Sequence, residues 1–185
     1  MKELFDRKLT NAAGGNAAAR VGDNLIIVTP SMMSEHRHGI VKPGNILLCD
    51  YDLNILEGDG KLSRECRMHA MLLKKIPEIG GVIHAHPEYT MVFVAASKPI
   101  PSVTEATLKM GECRLVEQAK AYSEDLAEHV YDFFKDKREQ LKITGLCGLL
   151  PMHGTVAVGK HIEQAFSVVE RIECDARCNI FGKFI

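Results

Sequence analysis

The sequence holds no Cys-x-x-Cys pair, no glycine-rich nucleotide loop, no excess of either charge and no apolar run of membrane length. Each absence removes a class of function. The six cysteines, Cys49, Cys66, Cys113, Cys147, Cys174 and Cys178, are scattered, so reduced core thiols are expected rather than a redox pair. Cys174 and Cys178, four apart on a predicted helix, make at most half a metal site. The lack of a P-loop and of Gly-x-Gly-x-x-Gly after a strand argues against a nucleotide enzyme. With 23 Lys and Arg against 24 Asp and Glu, the formal net charge is −1, and no basic surface for nucleic acid is expected. No stretch approaches the ~20 apolar residues of a membrane helix, and the polar start Met1-Lys2-Glu3-Leu4-Phe5-Asp6-Arg7 lacks the apolar centre of a signal peptide. A cytoplasmic protein with no membrane partner is the expectation.

What is present suits one globular domain over residues 1–185, with 46% hydrophobic and 25% charged residues and length enough for a substantial core. A short helix at the start leads into the loop Asn11 to Asn16. Ala17 to Arg20 and Leu25 to Val28 flank Gly22-Asp23-Asn24 as a hairpin, and a helical turn or two follows from Ser34 to Ile40. Asn45 to Asp50 reads as a buried strand, followed by another short strand ending near Gly58. The spacing of Cys66, His69, Ala70 and Leu73 predicts a helix over Ser63 to Ile76, with Ser63 as N-cap. Further helices are predicted over Glu88 to Ala96, Ser123 to Lys137 and Ile162 to Ile180. Strands are predicted over Cys113 to Val116, Ile143 to Leu150 and Thr155 to Val158. Short strands joined by hairpins, interspersed with amphipathic helices, predict an α/β fold: a three-layer α/β/α domain with a mixed, largely antiparallel central sheet.

The chemistry gathers at Gly80-Gly-Val-Ile-His-Ala-His-Pro87. Side chains alternate along a strand, so His84 and His86 project from one face, about 7 Å apart. Pro87 cannot continue a ladder and suits a helix start, which sets the pair at a strand's rim. Two imidazoles are too few for a firm site, and His153, after the apolar run to Leu150 and before Gly154, is the best third ligand. Three neutral histidines with one open position are a pattern of catalytic zinc. Glu65 stands in the first turn of a predicted helix, where a carboxylate can serve the helix dipole or do chemistry; spacing leaves both open.

Five motifs in order carry a resemblance that extends from about Leu9 to Arg177: Gly15-Asn16, Val28-Thr29-Pro30-Ser31, Ser63-Arg64-Glu65-Cys66-Arg67-Met68-His69, Val82-Ile83-His84-Ala85-His86-Pro87 and Met152-His153-Gly154. Together they resemble the class II aldolase/adducin family. The resemblance implies a zinc or other divalent ion on His84, His86 and His153, and Glu65 as catalytic acid/base. It implies a phosphate pocket on Gly15, Asn16, Ser31 and Ser63, and a homotetramer with active sites between subunits. The expected reaction is retro-aldol cleavage of a small phosphorylated ketose. A pentulose-phosphate epimerase, a sugar-phosphate dehydratase and a noncatalytic adducin-like interaction protein are the alternatives. Met32 stands where the family usually has glycine, and Arg64 where it usually has a second serine; a guanidinium is itself a good phosphate partner. The tyrosine expected after Pro99-Ile100-Pro101 is missing, and Glu105 is the nearest proton carrier. A tyrosine-bearing tail after Arg177 is missing too, and the amino terminus is shorter than the family's by about a helix.

Overall fold

A computed structural model describes all 185 residues. Its centre is one seven-stranded sheet in the order β4-β3-β2-β1-β5-β7-β6. The strands are β1 (Asn16–Gly22), β2 (Leu25–Val28), β3 (Leu47–Asp50), β4 (Ile55–Glu57), β5 (Gly81–Ala85), β6 (Leu146–Leu150) and β7 (Gly154–Gly159). The helices are α1 (Lys2–Asp6), α2 (Met33–Arg37), α3 (Cys66–Lys75), α4 (Thr90–Ala96), α5 (Glu105–Leu108), α6 (Glu124–Lys135), α7 (Arg138–Ile143) and α8 (Ile162–Phe181). The fold class is the expected α/β one. Every strand pair is antiparallel, and the parallel component reduces to an isolated bridge between Leu115 and Leu149.

Alternation along β5 sorts the layers. Gly81 lies against the start of α8, and Ile83 shares an apolar cleft with Ile162 and Phe166 of that helix. Val82 and His84 therefore face the opposite side, where α3 and α6 pack on one another. All residues of β5, β6 and β7 are buried, which is why these strands read as unbroken apolar runs rather than alternating ones. α8 buries Ala165, Val168, Val169, Ile172 and Ala176, the stripe its periodicity predicts. Ser123 caps α6 as expected, its Oγ accepting from Leu126 N at 3.0 Å.

The structure differs locally from the sequence reading at several places. α3 starts at Cys66, and Ser63 sits outside it, its Oγ accepting from Glu65 N at 3.4 Å and from Asn16 Nδ2 at 3.2 Å instead of capping the helix. Cys113 to Val116 forms single bridges to Ile100 and Leu149 instead of a strand, because it touches the sheet's edge at isolated points. The segment expected to be β from Ile143 is helical up to Ile143, with Leu141 buried as the anchor of α7. α5 is a single turn too short for a periodic signal.

Candidate metal centre

The register of the sheet brings the first groups together. His84 on β5 pairs with Asn16 on β1 and with Val156 on β7, and directly paired residues share a face. β5 ends at Ala85, so His86 lies just beyond it, freed from the ladder to turn inward. His153 comes from the tight turn between β6 and β7, held by His153 N donating to Leu150 O at 3.0 Å. The three ligand nitrogens lie within 4.8 Å of one another. The turn must be glycine next: a Cβ on Gly154 would stand 2.5 Å from His86 Cδ2 and 2.9 Å from His84 Cε1. The imidazoles fill the space that a side chain would take.

Glu65, at the threshold of α3, makes no cap bond and points its carboxylate into this cluster. Oε2 lies 3.3 Å from His84 Nε2 and accepts from Asn16 Nδ2 at 2.6 Å. Oε1 lies 2.9 Å from His153 Nε2 but off the direction of a hydrogen bond. Burial opposes ionisation here, yet the His84 ring and the nitrogens of His153 and Asn16 outweigh it, and the carboxyl is held well below the ordinary carboxylate range. Burial also pushes the His86 imidazole down, to about 3, with neighbouring His84 and His153 adding to it. His84 is likewise lowered, chiefly by burial.

Neutral imidazoles are the form that binds a cation. The donor set fits a divalent ion on three observations. His84 Nδ1 donates to Thr155 O at 2.9 Å, which leaves Nε2 as a lone pair aimed inward. The buried Nδ1 atoms of His86 and His153 have no hydrogen-bond partner. Three nitrogens beside one carboxylate suit a borderline metal such as zinc better than calcium or magnesium, which prefer oxygen.

The cluster opens into a cavity of about 230 Å³ lined also by Gly15, Ser31, Met32, Ser63, Arg64 and Tyr122. Gly15 holds φ +108°, and a Cβ there would strike Thr10 Oγ1 at 2.5 Å. Met32 has φ +61°, in the left-handed region that glycine adopts more readily than methionine. Asn16 reaches the cavity wall, but both its donor hydrogens are engaged, by Glu65 Oε2 and by Ser63 Oγ at 3.2 Å. Arg64 is the only Lys or Arg in the lining; its guanidinium lies 3.8 Å above the ring of Tyr122. Tyr122 in turn meets the His153 ring edge to face at 5.8 Å and has φ +68°. No sequence signal marked it. Glu105 is exposed and does not line this cavity. A larger cleft of about 510 Å³ lies on the α8 face, lined mostly by apolar residues such as Leu4, Ile27, Ile83 and Phe166.

The antiparallel α/β/α sandwich thus gathers three imidazoles and a buried carboxylate at one end of its central strands, a cluster compatible with a divalent ion. The chain belongs to the Class II Aldolase and Adducin N-terminal domain family, whose model matches residues 1–180. It is 32% identical over 177 residues to an L-fuculose phosphate aldolase of Methanococcus maripaludis, covering 95% of this chain and 89% of that one. It is 25% identical over 182 residues to a 3-oxo-tetronate 4-phosphate decarboxylase of Haemophilus influenzae, covering 95% and 81%. Among solved structures, an L-fuculose 1-phosphate aldolase superposes with a TM-score of 0.84 at 26% identity, covering 98% of this chain and 82% of that one.

Proposed function

We propose that this chain is a divalent-metal-dependent lyase, with zinc as the leading ion, that cleaves a small phosphorylated ketose by a retro-aldol reaction resembling that of L-fuculose phosphate aldolases. The observation that carries the proposal is Glu65: a 4% exposed carboxylate lodged beside the imidazoles of His84 and His153 and held by the Asn16 amide. His84, His86 and His153 would hold the ion. When bound, it would supply Lewis-acid polarisation of a chelated hydroxyl and carbonyl and so lower the cost of breaking the neighbouring C–C bond. Glu65 would move the proton at the carbon that loses the aldehyde, with Oε1 as the oxygen free of a fixed donor. Gly15, Ser31 and Ser63, with Arg64 across the cavity, would receive the phosphate; Asn16 contributes to that wall mainly by holding Glu65.

A pentulose-phosphate epimerase or a sugar-phosphate dehydratase would use the same ion and proton carrier. A noncatalytic adducin-like role is opposed by the complete set of three histidines and Glu65. Six unpaired cysteines support a reducing, cytoplasmic setting, and a homotetramer is the assembly proposed. No helix is long and apolar enough to cross a membrane. Incubation with a panel of ketose phosphates, with and without chelator, tests the reading. Aldehyde release that chelator abolishes is expected. Epimerised or dehydrated product with no aldehyde would replace the lyase assignment.

A further inference from the structure

One histidine beside the site serves no ligand role. His69 lies one turn into α3 from Glu65 and is fully buried. Its Nε2 meets Asn16 Oδ1, and its Nδ1 is buried with no partner. An amide oxygen only accepts, so Nε2 must carry the hydrogen. The opposite tautomer would set two lone pairs against each other and bury an orphan N–H at Nδ1. Burial pushes the His69 pKa down to about 4, so the ring stays neutral with a single N–H. That one hydrogen removes the freedom of the Asn16 amide to flip. A flipped Asn16 would turn its oxygen on Glu65 Oε2 at 2.6 Å and its NH2 on the His69 N–H, two repulsive contacts in a buried site.

We infer that His69 is a positioning residue for Glu65, acting through the amide of Asn16, so that Oε2 is tethered while Oε1 is left to reach substrate. The inference rests on the reading of Glu65 as the proton carrier. It also explains why Asn16 is buried at the start of β1 with both amide ends committed inside the protein.

¹⁵N spectroscopy of the protein as purified tests it without any mutation: His69 should appear as the Nε2–H tautomer and the Asn16 side-chain amide as slowly exchanging. An Nδ1–H tautomer would overturn it. His69→Phe keeps a ring and removes the donor, and kcat should fall about 10–100-fold, with KM and bound metal within about twofold. His69→Gln returns a donor near Nε2 and should recover kcat to within about threefold of the wild type. A His69→Phe protein with wild-type kcat and unmoved Asn16 amide signals would also sink the idea. If the wild type cleaves no ketose phosphate, the proposed function fails, and the tautomer and amide signals still judge this inference by themselves.

Discussion

On the proposed reading a single carboxylate, Glu65, moves the proton, and its surroundings make the expected effect of changing it specific. Glu65→Gln keeps the shape and most hydrogen bonding but cannot carry a proton, so kcat should fall roughly 10²–10⁴-fold while zinc content and Tm stay near wild type. Near-normal turnover would return Glu65 to a structural role. Arg64→Ala removes the only cation lining the cavity and should raise KM for a phosphorylated substrate about tenfold, leaving an unphosphorylated analogue unchanged; equal effects on both would exclude anion recognition. The buried histidines also set a pH dependence. His69 has an ordinary pKa of 6.5 when unfolded and about 4 in the fold, so below 6.5 the unfolded chain binds the extra proton. Its contribution is full above pH 6.5 and lost as pH falls toward 4, on the order of 3 kcal/mol. Urea unfolding of chelated protein at pH 7.5 and 4.5 should show that loss, and equal midpoints would contradict it. His84, His86 and His153 were legible as residue types at telling spacings, whereas Glu65 stood out from a helix cap only through the family resemblance. Tyr122, the internal role of Asn16 and the brace by His69 were not, because each depends on contacts between residues about 30 to 60 positions apart that no local pattern encodes.

Among the elements, the central strands and the two long helices were readable because burial imposes period and length on them. Starts and short pieces were not. α4 begins at Thr90 rather than Glu88 because its first donors are met from outside its own sequence. Glu173 on α8 accepts from Tyr89 N at 2.8 Å, Thr90 N at 2.8 Å and Thr90 Oγ1 at 2.7 Å. A carboxylate at a helix start satisfies orphan N–H groups and complements the dipole. Glu173→Ala should therefore destabilise the fold by about 1–3 kcal/mol, read as a lower denaturation midpoint, without change in metal content. An unchanged midpoint would mean that water replaces the carboxylate at no cost. The same logic explains Cys113 to Val116, whose β-like composition finds only isolated bridges at the sheet's margin.

For the whole molecule, the family resemblance leads us to expect a tetramer, and sedimentation at micromolar concentration should give four chains per particle. A fully active monomer would remove the idea of active sites shared between subunits. The α/β/α sandwich, the strand end that carries the histidines and the polar wall opposite were all foreshadowed in the sequence, since fold class follows from pattern and the site from motif order. The account as a whole stands on the ion. Stripping the protein with chelator and titrating zinc back, while following aldehyde release from L-fuculose 1-phosphate and related ketose phosphates, tests it most directly. The account predicts no activity in the stripped protein and recovery that saturates at one zinc per chain. Activity that survives complete metal removal, or recovery in a His153→Ala protein equal to that of the wild type, would contradict it.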